Sequence, residues 1–240
     1  MTFAKSKKYL KKIVESSVYD VADITPLSPA GHLSKETKNN IFLKREDLQP
    51  IFSFKLRGAY NKISHLKKLG KVERVITASA GNHAQGVAYS AKKLRLKASI
   101  VMPVTTPSIK VSAVKNLGAQ VILVGDTYDE AYEHAIKLSK KPNYAFVHPY
   151  DDPDVIAGQG TIGKEILDQA GKDLDAVFVP VGGGGLLAGI GAYIKNLRPD
   201  VKIIGVEPEE AAGLYEAIKA NRRVTLKQVG LFVDGVAVKQ

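Results

Sequence analysis

Short apolar runs of strand composition punctuate the chain at residues 41–43, 75–78, 98–102, 121–124, 144–147, 176–179 and 203–206. Longer stretches with apolar residues at helical spacing separate nearly all of them, at 54–69, 83–94, 108–117, 128–139, 155–170 and 186–196. This alternation predicts βαβ units and an α/β class with a mainly parallel sheet. The strand runs are nearly continuous in Val, Ile and Ala rather than alternating with polar residues, which predicts burial on both faces. Turn signals are modest: Thr25-Pro26, Gln49-Pro50, Met102-Pro103 and Thr106-Pro107. The run Pro149-Tyr150-Asp151-Asp152-Pro153 is the best candidate for a domain crossing.

The stretch 176–194 is uncharged and long enough to span a bilayer. Pro180 and Gly182 to Gly185 would break any helix there, so it reads instead as strand, glycine loop and helix. Composition narrows the chemistry further. The chain has no Cys, which excludes a thiolate nucleophile, cystine staples and Cys-ligated metal, and agrees with a reducing compartment. Its 240 residues suffice for a substantial core without staples, and 45% hydrophobic content excludes disorder. A net charge of +11 raises the question of a nucleic-acid or membrane partner. The lysines are scattered, however, and the one cluster, Lys5, Lys7, Lys8, Lys11 and Lys12, is interleaved with a single aromatic, Tyr9. It reads as a solvated helix face, with neither partner expected. No apolar stretch follows these lysines, so a secretory signal is not expected.

Four segments carry candidate chemistry. Gly158-Gln159-Gly160-Thr161-Ile162-Gly163-Lys164-Glu165 satisfies a dinucleotide-type glycine pattern and nearly satisfies a phosphate-loop pattern. Glu165 stands where the latter needs a hydroxyl, and the residues before Gly158 resemble a helix start rather than a strand, so a nucleotide site is not expected. Residues 177–188 have the right context of strand, glycine loop and helix. A tight turn explains one or two of Gly182, Gly183, Gly184 and Gly185. Four in a row point to backbone amides that approach an anion or phosphate at a helix N-terminus. Thr77 to Gly86 form a second strand-to-helix loop, in which Ser79 or Asn82 could cap the helix or bind a ligand, and His83 could be a solvated first-turn residue. In Ser53-Phe54-Lys55-Leu56-Arg57-Gly58-Ala59, Lys55 falls where a helix begins, at the dipole end that disfavours an ammonium. Taken alone, it reads as a solvated surface lysine.

Together, SFKLRGAY, TASAGNHAQG and PVGGGGLLAG, in this order, resemble the pyridoxal-phosphate enzymes of the tryptophan-synthase-β fold. The similarity continues through KREDLQP, VMPVTTPSIKV, GQGTIGKEI and GLFVDGVAVK and covers nearly the whole chain. Within that family it is nearest to the biosynthetic threonine dehydratases. The resemblance implies two three-layer α/β subdomains with mainly parallel sheets, the larger from residues 1–66 and 153–240 and the smaller from 67–152, with pyridoxal 5'-phosphate in the cleft. It implies that Lys55 carries the cofactor as an imine and acts as general base, with Phe54 beside it and Asn82 on the phenolic oxygen. Gly182, Gly183, Gly184, Gly185 and Leu186 would cradle the phosphate. The loop Ser79, Ala80, Gly81, Asn82 and His83 would hold the substrate carboxylate.

The implied reaction is elimination of water and ammonia from L-threonine to give 2-oxobutanoate, the first step toward isoleucine, in a cytoplasmic homo-oligomer. Its rivals are an L-serine dehydratase on the same scaffold and an inactive fragment. Ala80 replaces a Ser that racemases of this fold use as a second acid and base, which favours elimination. Glu207 matches a cation-binding Glu-Pro motif, but Gly213 stands where a carboxylate is needed, so no metal is expected. Family members continue past the GVAVK segment, so the chain that stops at Gln240 is expected to be truncated.

Overall fold

The computed structural model describes residues 3–70, 72–230 and 232–239 of the chain, and the side chains from Lys7 onward. Of the residues named above, the Lys5 side chain, Leu231 and Gln240 lie outside the described residues. Four parallel strands form the central sheet: β3 (Arg74–Ala78), β4 (Lys97–Met102), β5 (Gln120–Leu123) and β6 (Tyr144–Phe146), in the order β5-β4-β3-β6. Between them run α4 (Asn82–Lys93), α5 (Ser108–Asn116) and α6 (Tyr128–Ser139). Strand periodicity sorts the core into two layers. Val75, Ile100 and Met102 pack with Val87, Ala88 and Val114 of α4 and α5. Ile76, Ala78 and Val101 pack with Ala131 and Ala135 of α6. Every residue of β3 beyond Arg74 is buried, as the sequence pattern predicts for a sheet covered on both faces.

The second parallel pair, β7 (Ala176–Pro180) and β8 (Lys202–Val206), is joined through α8 (Gly185–Leu197). One face packs Val177, Val179 and Ile203 against α8 and against α7 (Pro153–Ala170). On the other face Phe178 is 67% exposed and Val206 49%, so the prediction of two-sided burial fails for this pair. The remaining strands, β1 (Leu27–Pro29) and β2 (Phe42–Lys44), pair antiparallel around α2 (Gly31–Thr37). The sequence reading had neither β1 nor α2, because three residues ending in Pro carry no periodic signal.

Helix starts follow local chemistry. Thr127 and Glu130 form a reciprocal capping box at α6, and Asp152 accepts the amides of Asp154 and Val155 at α7, ahead of Pro153. The lysine-rich segment is α1 (Phe3–Val14), which buries Ile13 against Ala157, Ala192 and Tyr193. Lys7, Lys8 and Lys11 stay exposed on it, while Lys12 pairs with Asp154 at 2.8 Å. Among the described residues, no helix is long and apolar enough to cross a membrane.

Candidate active site

The strand order places a topological switch point between β3 and β6: the chain moves one way from β3 to β5, then returns to the far side of β3. Ligands of open parallel sheets bind at the carboxyl ends of the strands at such a point. The loop after β3 is Ser79-Ala80-Gly81, and the loop after β6 begins Val147-His148-Pro149-Tyr150.

Lys55 is the first residue of α3 (Lys55–Lys68), with Phe54 as its N-cap. Its amide donates to Ser53 Oγ at 3.3 Å. Its Nζ donates to the Pro149 carbonyl at 3.1 Å and lies 5.3 Å above the Phe54 ring. Lys55 is half-buried, and desolvation of this bonded amine pushes it down to about 8, so it is not a freely solvated surface lysine. A Cβ on Gly86 would come within 3.0 Å of the Lys55 carbonyl, so α4 approaches the start of α3 as only glycine allows. The same turn of α3 is fixed by Arg57, which is fully buried. Arg57 donates to both carboxylate oxygens of Glu46, to both of Glu165, to Thr161 Oγ1 and to the Asp23 carbonyl. Lys44 adds a third cationic contact to Glu165 at 2.5 Å.

At α4 neither Ser79 nor Asn82 caps the helix. The N-cap is Gly81, without a side-chain bond, and Ser79 Oγ accepts only the Gly81 amide at 3.2 Å. The first-turn amides are therefore left for an external acceptor. Asn82 is exposed, while His83 is buried, contrary to a solvated first-turn residue. His83 Nε2 lies 3.0 Å from the Val147 carbonyl, which can only accept, so the ring carries its proton on Nε2. Burial, reinforced by the Lys55 charge, pushes His83 down to about 3 and keeps it neutral. Its imidazole points into the protein, so only its backbone amide faces toward a ligand of this loop.

The glycine loop is explained residue by residue. Gly184 adopts φ +79° at the N-cap of α8. A Cβ on Gly183 would strike the Tyr150 ring at 2.3 Å, one on Gly185 the Tyr150 carbonyl at 2.7 Å, and one on Gly182 the Val236 backbone at 3.2 Å. Packing thus forbids a side chain at Gly183 and Gly185, φ favours glycine at Gly184, and Gly182 is in tight contact with Val236. What packing leaves is a set of donors. No acceptor within the described residues reaches the amides of Gly182, Gly183 or Gly184, and those of Gly185 and Leu186 open the first turn of α8. Space beside Gly184 is open. A phosphate fits this donor set, and a buried amine of lowered pKa fits imine chemistry, so the residues present suit pyridoxal 5'-phosphate.

The segment after β6 was read only as a domain crossing, yet it joins these parts. Val147 holds His83, Pro149 holds Lys55, and Tyr150 lies on the glycines. A His-Pro-Tyr run directly after a strand was the one available signal.

Gly158, Gly160 and Gly163 lie inside α7 and not in a strand-to-helix loop. Added Cβ atoms there would meet the Arg57 carbonyl at 2.6 Å, the Ile13 side chain at 2.5 Å and the Ile190 backbone at 3.2 Å. These glycines are notches for α3, α1 and α8. Glu207 accepts the amides of Leu214 and Tyr215 at 2.8 and 2.9 Å, capping α9 (Gly213–Ala220).

Comparison with known proteins agrees with this geometry. Residues 19–240 match the family model described as pyridoxal-phosphate dependent enzyme. The chain is 54% identical to a biosynthetic L-threonine dehydratase of Burkholderia multivorans, over 98% of this chain and 47% of that protein. It is 55% identical to the chloroplastic biosynthetic threonine dehydratase of Arabidopsis thaliana, over 100% of this chain and 40% of that one. The chain thus spans about half the length, or less, of these curated relatives. The structure of processed threonine deaminase isoform 2 from Solanum lycopersicum superposes with a TM-score of 0.95 and 51% identity, over 100% of this chain and 66% of that one. Maize serine racemase superposes with a TM-score of 0.91 and 29% identity, over 95% of this chain and 70% of that one.

Proposed function

The chain belongs to the family of pyridoxal-phosphate-dependent enzymes, and from that premise we propose that it is the core of a lyase that converts L-threonine to 2-oxobutanoate and ammonia, the first step toward isoleucine. The observation that carries this reading is the Lys55 amine, lowered to about 8 by burial and bonded to Pro149 between two loops of free amides. The names of the relatives above support threonine as substrate.

In this reading Lys55 links the cofactor, and the amides of Gly182 to Leu186 hold its phosphate at the positive end of α8. Asn82 would bond its phenolic oxygen and Phe54 would flank its ring. Pyridoxal 5'-phosphate, when bound, supplies an electron sink for the pair left on the α-carbon. The Nζ of Lys55, displaced by substrate, takes the α-proton, and a pKa near 8 lets it serve as a base close to neutral pH. The α4 amides and Ser79 hold the carboxylate and so fix the direction of the Cα–H bond. Ala80 offers no acid on the opposite face, which favours elimination over racemisation.

By the same reading, residues 67–152 form the smaller unit, which closes on the larger when substrate binds, and the protein works as a cytoplasmic homo-oligomer. The test is a visible spectrum of the chain with pyridoxal 5'-phosphate, before and after L-threonine, with 2-oxobutanoate assayed in the same cuvette. A cofactor band that shifts on threonine with keto-acid release is expected. Lys55→Ala should abolish both, and a band that survives this substitution would overturn the assignment. L-Serine in parallel separates the two dehydratase readings.

A further inference from the structure

His148 stands at the carboxyl end of β6, and nothing in the mechanism above uses it. Its Nδ1 accepts two backbone amides, Tyr150 N at 3.2 Å and Asp151 N at 2.8 Å. An amide N–H can only donate, so Nδ1 presents its lone pair and the proton of the neutral ring sits on Nε2. That Nε2–H has no partner among the described residues, and it is not among their buried unpaired atoms, so it is open to solvent. The ring is held edge-on to Tyr150 at 4.7 Å, Phe146 at 6.1 Å and Tyr132 at 6.5 Å. Two backbone bonds and three aromatic contacts therefore aim one free donor from a fixed ring.

Its surroundings are those of the proposed site. The next residue, Pro149, accepts from Lys55 Nζ, and the His148 ring lies within electrostatic reach of both Lys55 and His83. Burial moves its pKa down, with Lys55 and Arg223 adding to the shift and Asp151 and Asp152 opposing it, which keeps a neutral donor rather than a cation. The α4 amides on one side of Lys55 suit a carboxylate. The His148 donor, beyond the neighbouring strand, is left for the other polar group of a hydroxy-amino acid.

We propose that His148 Nε2–H donates a hydrogen bond to the β-oxygen of the substrate and so makes the site selective for β-oxygenated amino acids. This rests on the reading of Lys55 as the cofactor-bearing residue. The contact orients the oxygen that leaves, and no proton transfer from His148 is involved.

Two substitutions separate the donor from the loop anchor. In His148→Asn the side-chain carbonyl can still accept the Tyr150 and Asp151 amides, but the Nε2 donor is gone. His148→Gln returns an N–H near the Nε2 position. The affinity of the cofactor-loaded chain is read spectroscopically for L-threonine and for L-2-aminobutanoate, which lacks the β-oxygen. His148→Asn should weaken threonine about tenfold while changing aminobutanoate by less than about twofold, and His148→Gln should recover part of the loss. Equal losses for both ligands, or none, would overturn the proposal. Imidazole 15N shifts of the cofactor-free chain give a second readout: a ring proton on Nδ1 of His148 sinks it without any ligand. If wild type takes up no cofactor, the reading of Lys55 fails and the proposal falls with it. If wild type binds cofactor and threonine and His148→Asn is indistinguishable, the proposal fails alone.

Discussion

The two parallel sheets of this molecule use the same device, a strand that ends in a loop of free amides opening a helix, yet they are built to different standards. In the β3–β6 sheet, Val75, Ile76, Ile100 and Val101 are all at 0% exposure, clamped between α4 and α5 on one side and α6 on the other. In the β7–β8 pair, Val179 is buried on one face while Phe178 stands 67% exposed on the other. The comparison teaches that the two loops are supported differently: helices on both faces back the strand before the first, and helices on one face back the strand before the second. The loop after β7 rests on α8 and Tyr150.

The contrast can be broken at several strengths. The largest effect is expected at the buried ion network under the start of α3: Arg57→Ala leaves Glu46 without its cation and Glu165 with Lys44 alone, and should cost about 3–5 kcal/mol in urea unfolding. A cost below about 1 kcal/mol would mean that this network is not what fixes the start of α3. Within the covered sheet, Ile100→Ala should cost about 2–5 kcal/mol by chemical denaturation.

His83 makes the covered half sensitive to acid. Its folded pKa, about 3, lies below the unfolded value of about 6.5, so the unfolded chain binds the extra proton first. The associated stability is fully present above about pH 6.5 and fades as pH falls toward 3, on the order of 1 kcal/mol per pH unit. His83→Gln, which keeps a donor for Val147, should flatten that slope relative to wild type, and an unchanged slope would count against the buried neutral ring. Gly158→Ala should cost about 1–3 kcal/mol by forcing α7 off α3. The smallest effect is expected on the open face, where Phe178→Ala should stay within about 0.5 kcal/mol. A loss there comparable to that of Ile100→Ala would erase the difference between the sheets.

Much of this was legible in the sequence where the cause is local. The strand-to-helix alternation, the start of α6 at Tyr128 and the start of α3 at Lys55 all follow from patterns within a few residues. The glycine loop was legible as a loop of exposed amides, but the packing against it was not. Tyr150 fills the space over Gly183 from more than thirty positions away, and no periodicity reports such a contact. Arg57 was likewise invisible, because its partners Asp23, Glu46, Thr161 and Glu165 converge from three separate segments. Pro149 was legible only as part of a domain crossing, and His148 carried no signal of its own, until the fold brought Lys55 to that segment. The open face of β7–β8 was missed because a Val-rich run records what a strand can tolerate, not what covers it.

Helix α7 carries three glycines at an intrinsic cost of about 1 kcal/mol each, so as a free peptide it would be poorly helical. In the protein its residues Val155 to Gly163 are all buried, in contact with α3, α1 and α8 through those same glycines. This glycine-bearing helix should therefore be among the slowest to exchange its amide hydrogens for deuterium, since its bonds open only when three neighbours part.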